Sequence, residues 1–258
     1  MKTAASEFSA KVIDSYDVFC LSQLSYVSTL NRLSSILRDH ASQRHLLTYA
    51  VLEIGSGTGE CTRRILESFS STQITAVDNN ISIQQKAKEK EYNRFMHSSV
   101  QFYISDAFEF LIEAVRSRQT WDFIVAGFTL HNWKCDYRWK VLQAISKILR
   151  PGGCFVVADY FPECYSDAIG EFEKHIAWLE TESNVSSSPD LRDFWVAHTL
   201  QDMNPNRLMY ESAFVSDLMQ IGFSEVNTDR VARLEAVVSA SKCVDRVDRF
   251  RRANHLSR

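Results

Sequence analysis

The sequence has no apolar run that approaches the roughly 20 residues of a membrane-spanning helix, and its first seven residues lack the apolar core of a secretory signal peptide. The six cysteines are scattered and include no Cys-x-x-Cys pair, which excludes zinc ribbons and dithiol redox motifs. Internal repeats and low-complexity tracts are absent as well. We therefore expect a cytoplasmic protein with reduced, mostly structural thiols and no membrane contact.

A strong charge of either sign is also missing. The formal net charge is −3 over 258 residues, with 45% hydrophobic and 24% charged residues, which is the composition of an ordinary globular protein. Such a charge gives no general attraction for nucleic acid or for an anionic membrane. The length allows one large domain, with or without appendages.

Strand and helix patterns alternate from residue 48 to residue 158, which predicts a parallel sheet with helices on both faces. The predicted strands are residues 50–54, 73–77, 100–104, 121–126 and 154–158. The first predicted helix begins near residue 60, and the next three span residues 83–95, 107–116 and 136–149. Arg150-Pro151-Gly152-Gly153 is expected to form the turn that stops the last of these helices. Two closely spaced strands, 224–231 and 234–240, complete a seven-stranded, mostly parallel sheet as an antiparallel pair at its edge.

The remaining segments have helical patterns. Residues 8–47 contain no glycine or proline and are expected to form two helices before the first strand. Residues 160–210 are also helical in pattern, with a loop at 186–189, and a further helix over 211–221 is expected to end at Gly222.

Glycine is scarce, with eight in the chain, yet three of them lie within residues 51–59, Val-Leu-Glu-Ile-Gly-Ser-Gly-Thr-Gly. Glycines after a buried strand let a ligand approach the main chain closely, and the helix that follows offers N–H groups to a carboxylate. A dinucleotide-binding fingerprint would need glycine at position 60, where this chain has Glu60. The second strand ends in Asp78, whose carboxylate can accept bonds from two ribose hydroxyls. These features predict a pocket for a ribose-bearing cofactor other than a dinucleotide.

The spacing Glu53-x-Gly55-x-Gly57-x-Gly59 resembles motif I of the class I S-adenosylmethionine (SAM) dependent methyltransferases. The resemblance covers roughly residues 48–160 and the two closing strands. It implies a Rossmann-like fold, SAM as cofactor and S-adenosylhomocysteine as product. It also divides the chain into three parts. These are an N-terminal helical lid (1–47), a methyltransferase domain (48–242) with a helical substrate-cap insert after the fifth strand (160–210), and a basic tail (243–258).

The resemblance assigns roles around the cofactor. Glu53 would reach the ammonium of the methionine part, often by way of water, and Asp78 would bind the ribose. Asp106 would accept a bond from the adenine amino group, with the Ala107 N–H facing the ring and Phe108 stacking on it. Asp78 and Asp106 also suit helix N-caps, and both roles can hold at once. The full set expected around the cofactor is Glu53, Gly55, Ser56, Gly57, Gly59, Asp78, Asn79, Asp106, Ala107, Phe108 and Phe128.

The segment 128–133, Phe-Thr-Leu-His-Asn-Trp, follows the fourth strand, where members of the resembled family face the sulfonium methyl. His131 is a candidate general base because its unperturbed pKa lies near neutrality; the alternative is that it braces the loop. Tyr160 follows the fifth strand and is the second candidate catalytic residue. Metal-dependent, catechol-type methyltransferases place acids after both the fourth and the fifth strand, whereas this chain has His131 and Asn132 after the fourth. We therefore expect no bound metal, although His131, Asn132 and Asp159 could form a weak site.

The insert at 160–210 contains nine acidic and three basic residues, a net charge of −6, which disfavours a polynucleotide substrate. We therefore expect a small-molecule acceptor, no nucleic-acid or membrane partner, and a monomer or homodimer. Two alternatives stay open: an RNA or protein methyltransferase that uses the basic tail, and a protein that binds SAM or a modified SAM without methyl transfer. Candidate pocket residues are Tyr16, Phe19, Tyr26, Trp178, Trp195 and His198.

Overall fold

The computed structural model describes residues 10–44, 46–90 and 97–242. Its centre is a seven-stranded sheet in the order β3-β2-β1-β4-β5-β7-β6. Strands β1 to β5 are parallel, and β7 runs antiparallel to both β5 and β6. The strands are β1 (Tyr49–Ile54), β2 (Thr72–Asp78), β3 (Ser99–Ile104), β4 (Trp121–Gly127), β5 (Leu149–Tyr160), β6 (Glu225–Arg230) and β7 (Glu235–Ser241). The predicted Rossmann-like, mostly parallel sheet is confirmed.

Helices lie on both faces of this sheet, as the alternation of patterns predicted. They are α1 (Ala10–Ser22), α2 (Leu24–Ser42), α3 (Glu60–Ser68), α4 (Ile81–Glu89), α5 (Ala107–Arg116), α6 (Cys135–Ile148), α7 (Tyr165–Thr181), α8 (Pro189–Asp202) and α9 (Glu211–Ile221). A short 3₁₀ turn, Leu130–Asn132, follows β4. Among the described residues, no helix combines the length and apolarity needed to span a bilayer.

The central strands divide the core into two layers because successive side chains point to opposite faces of a sheet. In β1, Leu52 faces the layer that includes α5, α6 and α9, whereas Val51 faces the layer that includes α2 and α3. Both side chains are fully buried. Burial on both faces explains why these strands read as continuous apolar runs rather than as alternating ones.

Two local predictions were wrong in detail. The helix predicted over 83–95 begins at Ile81, because the side chain of Asn80 accepts the N–H groups of Ser82 and Ile83 and caps it. It ends at Glu89, and the predicted end at Phe95 lies outside the described residues.

The predicted turn at 150–153 is instead part of β5, which begins at Leu149. The pairing with β4 shifts register between Trp121 and Phe123, so these residues form an irregularity within the sheet. These residues stay in the sheet because their main chain is paired on the side of β5 that faces β7. There, Gly152 N–H donates to the Lys242 carbonyl, and Lys242 N–H donates to the Gly153 carbonyl.

The two N-terminal helices have different environments. Helix α2 buries Leu30, Leu33 and Leu37 against one face of the sheet. Helix α1 lies between the sheet's helices and the insert, where Phe19 stacks on Trp195 of α8 with ring centroids 4.1 Å apart. Helix α1 therefore joins the cluster formed by the insert rather than the main core.

Candidate functional site

The glycine-rich loop joins β1 to α3 through three left-handed residues. Gly55, Gly57 and Gly59 have φ values of +71°, +53° and +86°. A Cβ on Gly55 would lie 2.3 Å from the Thr129 side chain, whereas a Cβ on Gly57 would meet nothing within 4 Å. The loop is thus packed closely at Gly55 and open at Gly57, beside the N-terminus of α3, where backbone N–H groups lack helical partners.

Glu53 lies fully buried in β1, next to this loop. Its Oε2 accepts a bond from Thr62 Oγ1 at 2.6 Å, and among the described residues its Oε1 has no nitrogen or oxygen donor. Burial raises the pKa of Glu53 to about 7, although hydrogen bonds from the Thr62 hydroxyl and the Cys61 thiol oppose that shift. The Ser56 hydroxyl is likewise buried and without a partner in the described part of the chain. Such orphaned groups fit a polar ligand end that brings donors and acceptors of its own.

Asp78, at the carboxyl end of β2, connects two loops. Its Oδ2 accepts the Gly57 N–H at 2.9 Å, and its Oδ1 accepts the Asn80 N–H at 2.8 Å. Burial raises the pKa of Asp78, and the backbone bonds oppose the shift. Since Asn80 caps α4, that capping role does not fall to Asp78; Asn79 is exposed. Each Asp78 oxygen keeps a lone pair for a further donor, so ribose binding stays a prediction.

Asp106, at the carboxyl end of β3, caps α5: its Oδ1 accepts the N–H groups of Phe108 and Glu109 at 2.9 and 3.1 Å. Tyr137 of α6, which the sequence did not single out, places its hydroxyl 2.8 and 2.9 Å from the two Asp106 oxygens. The capping alternative is therefore realised. The Ala107 N–H belongs to the first helical turn, which has no intrahelical acceptor, and the adenine contacts of Asp106, Ala107 and Phe108 stay predictions.

After β4, the loop is held by one buried carboxylate, Asp159 of β5. Asp159 Oδ2 accepts the N–H groups of Thr129 and Leu130 at 3.2 and 2.8 Å, and Asp159 Oδ1 lies 2.6 Å from His131 Nδ1. We assign the proton to Nδ1, because an ionised carboxylate can only accept; Nε2 of the neutral ring then keeps its lone pair. Burial disfavours the imidazolium, but the charges of Asp159 and Asp202 outweigh it and raise the pKa of His131.

Aromatic rings surround this point. Phe128 adopts φ +49°, a strained value for a residue with a Cβ, and its N–H donates to the Ala158 carbonyl at 2.7 Å. The Phe128 ring stacks on Tyr26 at 4.6 Å and meets the edge of Tyr160 at 5.5 Å. Burial raises the pKa of Tyr160 well above its ordinary value, so Tyr160 is a neutral phenol at physiological pH. Chemically it can position a substrate but is a poor base.

A small cavity lies beside these rings, with room for about one water molecule. It is lined by His131, Tyr160, Pro162, Phe172, Asp202, Arg207, Leu208 and Met209. The insert therefore contributes to the pocket through the end of α8 and the segment after it. Asp202 and Arg207 in this wall were not among the site residues predicted from the sequence.

Arg138 of α6 fixes the same wall from behind. Its guanidinium, largely buried, donates to the carbonyls of Leu130, Trp133, Arg207 and Leu208 at 3.0 to 3.3 Å. The loop after β4 is thereby tied to the segment after α8. One feature of the sequence could have indicated this role. Arg138 lies on the face of α6 whose neighbouring positions are apolar and buried, where a charged residue needs partners.

Known proteins resemble this chain in sequence and in fold. A family model described as "Methyltransferase domain" matches residues 52–155. A malonyl-[acyl-carrier protein] O-methyltransferase of Halalkalibacterium halodurans is 31% identical over 124 residues, which cover 48% of this chain and 44% of that protein. The Brevibacillus brevis protein of the same name is 27% identical over 235 residues, covering 89% and 72%. These matches agree with the resemblance of the glycine motif to the class I SAM-dependent methyltransferases. The chain spans less than half the length of the first of these relatives.

Solved structures of methyltransferases share the fold of this chain. The magnesium protoporphyrin IX methyltransferase of Synechocystis with bound S-adenosylhomocysteine superposes with a TM-score of 0.61 at 11% identity, covering 92% of this chain and 97% of that one. A Burkholderia thailandensis 1,6-didemethyltoxoflavin-N1-methyltransferase gives a TM-score of 0.54 at 18% identity, covering 94% and 92%. At these identities the likeness concerns the fold.

Within this fold, the predicted cofactor residues lie at adjacent strand ends. The glycine loop follows β1, Asp78 ends β2 and Asp106 follows β3, in the sheet order β3-β2-β1. The candidate catalytic residues, His131 and Tyr160, follow β4 and end β5, which lie next in that order. The five strand ends thus form one continuous edge, with the cofactor candidates on one half and the catalytic candidates on the other.

Proposed function

We propose that the protein transfers the sulfonium methyl group of SAM to a small-molecule acceptor bound between the ends of β4 and β5 and the helical insert. The observation that carries this proposal is the buried Glu53 carboxyl near the end of β1, whose Oε1 has no nitrogen or oxygen donor among the described residues. A buried carboxylate whose second oxygen lacks a nitrogen or oxygen donor is unfavourable unless a ligand supplies one, and the amino-acid end of SAM supplies an ammonium.

Several residues would hold the cofactor. Glu53 would take the ammonium, directly or through water, and the α3 N-terminus would take the carboxylate. Asp78 would bind the ribose hydroxyls with the lone pairs that Gly57 and Asn80 leave free. The first turn of α5, headed by Asp106, would meet the adenine. When bound, SAM supplies a methyl group on a positively charged sulfur, which is already a good electrophile.

The contribution of the protein to the reaction is then mainly position and exclusion of water. Phe128, Tyr160 and Phe172 form an apolar wall beside the ends of β4 and β5. Helices α1, α7 and α8 would act as the lid, since Phe19 on α1 stacks against Trp195 on α8. An acceptor carboxylate or amine with a free lone pair needs no base; an acceptor that carries a proton would use the His131 imidazole, and that role stays a prediction.

An oxygen acceptor is the form of this proposal favoured by the relatives, which are named malonyl-[acyl-carrier protein] O-methyltransferases. The acidic insert, with its net charge of −6, argues against a polynucleotide acceptor. We therefore propose a small carboxyl- or hydroxyl-bearing acceptor and no nucleic-acid partner.

The first experiment is mass spectrometry of the nucleotide that copurifies, together with calorimetric titration of SAM into nucleotide-free protein. We expect SAM or S-adenosylhomocysteine and one binding site. A carboxylated or decarboxylated SAM would redirect the proposal, and no binding of any adenosyl compound would overturn it. Transfer of labelled methyl groups to malonyl thioesters and to a metabolite extract then identifies the acceptor, and salt-dependent retention of RNA would support the polynucleotide alternative instead.

A further inference from the structure

The helix α8 places two polar side chains, His198 and Asp202, against the wall that holds His131. One ring nitrogen of each histidine and one carboxylate oxygen of Asp202 all lie within 4.8 Å of one another. His198 and Asp202 lie one helical turn apart on α8, and the fold brings the distant His131 to them. His131 and Asp202 also line the small cavity beside Tyr160.

Asp202 supplies an independent sign of a ligand. It is 6% exposed, and its Oδ1 has no hydrogen-bond partner in the described part of the chain. An ionised carboxylate in such a position is unfavourable without a cation or a donor. The cavity in front of it has room for about one water molecule, which suits a single ion and is too small for an organic group.

From this geometry we infer that His131, His198 and Asp202 bind one divalent transition-metal ion next to the acceptor pocket. Two imidazoles and one carboxylate are a donor set that suits zinc, iron, manganese or cobalt, whereas calcium and magnesium prefer oxygen ligands. Three protein ligands leave a coordination position open toward the cavity.

The surroundings of His131 match those of a metal ligand. Asp159 accepts the Nδ1 proton at 2.6 Å and so presents the Nε2 lone pair, which is the arrangement in which a carboxylate orients a metal-binding histidine. Ligands 4.8 Å apart must move closer by somewhat more than 1 Å to reach metal–ligand distances of about 2.0–2.2 Å. Arg207 also lines the cavity, and its guanidinium donates to Gln201 Oε1 at 3.2 Å.

This inference does not depend on methyl transfer. If the proposed function also holds, the ion would lie beside the acceptor and polarise its oxygen, and His131 would act as a ligand rather than as a base. It replaces the expectation, drawn from the sequence, of a site without metal.

The test is titration of Zn²⁺ and of Co²⁺ alone into chelator-treated, full-length protein, without SAM, followed by calorimetry and by the visible absorption of bound Co²⁺. Wild type should bind one equivalent. Asp202→Asn and His198→Gln should each weaken binding roughly tenfold or more, because each removes one of three ligands. Asp193→Asn, at an exposed position of the same helix, and His175→Gln on α7 are the matched controls and should bind like wild type.

Absence of stoichiometric binding by wild type would overturn the inference, as would unchanged affinity in both ligand variants. Either ligand variant suffices if the other fails to fold, which circular dichroism decides. SAM binding is measured separately on the same preparations, so a failure of the cofactor proposal and a failure of the metal proposal give different results.

Discussion

Replacing Glu53 with glutamine should make the free protein more stable at neutral and alkaline pH and should weaken its binding of SAM. The reason is that the folded protein buries this carboxyl and raises its pKa from 4.5 to about 7. Between these values the folded state holds a proton that the unfolded chain releases. Stability therefore falls as pH rises through this window and levels off above pH 7.

The size of the effect follows from the shift. A change from 4.5 to about 7 corresponds to about 3 kcal/mol of lost stability at pH 8. Glutamine has no charge to desolvate and resembles the protonated acid, and the shifted pKa already includes the bond from Thr62. The gain for Glu53→Gln at pH 8 is therefore about 3 kcal/mol, or a rise of about 6–12 °C in Tm, and it should vanish near pH 4.5.

Cofactor binding should change in the opposite direction. The ionised carboxylate is the form that pairs with an ammonium, so wild-type affinity for SAM should rise from pH 5 to pH 7, and binding near pH 6.5 should release protons. Glu53→Gln removes about 1.5–3 kcal/mol, roughly a 10- to 150-fold loss of affinity. Calorimetry in two buffers of different ionisation enthalpy measures both quantities, and thermal unfolding at pH 5 and pH 8 measures stability.

Glu113→Gln is the matched control, because Glu113 is exposed on α5 and should change neither quantity. A wild-type Tm that does not depend on pH between 5 and 8, or a Glu53→Gln variant less stable than wild type at pH 8, would refute the desolvation argument. An unchanged affinity for SAM would refute the ammonium contact even if the stability result stands.

Three further predictions concern the same edge of the sheet. Asp78→Ala should weaken SAM binding by about 1.5–3 kcal/mol for each charge-assisted bond lost, and unchanged affinity in calorimetry would exclude its ribose role. Gly55→Ala should unfold at a much lower denaturant concentration, because its Cβ would overlap Thr129. Gly57→Ala should cost only about 1–2 kcal/mol of backbone strain but should abolish detectable SAM binding. Similar stability losses in the two variants would contradict this contrast. Arg138→Met should lower the unfolding free energy by about 3 kcal/mol or more, measured in urea, since four carbonyls lose their donor.

The features that the sequence predicted are those encoded locally. The glycine loop, the strand that ends at Asp78 and the apolar runs of β1, β4 and β5 each occupy fewer than ten consecutive residues, and their pattern alone places them. The parallel sheet follows from their alternation with helices, because a right-handed crossover leaves few other arrangements.

The features that it missed depend on contacts between distant segments. Tyr137 reaches Asp106 only because α6 packs beside α5. Arg138 donates to carbonyls in the segments that follow β4 and α8, and the second of these segments is distant from it in the sequence. His198 was noted as an aromatic pocket candidate, but its approach to His131 required the position of α8, which no local pattern sets. The irregularity at 150–153 was missed because its stabilising bonds come from Lys242, at the far end of β7.

Helix α1 contacts both the glycine loop and the helical insert. Its Asp17 accepts a bond from Thr58 in the glycine loop and pairs with Lys90 at the end of α4, while its Phe19 lies on Trp195. A ligand at the loop and a ligand beneath α8 would therefore both be covered by α1, and one displacement of this helix would allow both to bind or leave. We expect a cross-link that fastens α1 to α8 to trap spent nucleotide inside and to stop turnover after one cycle.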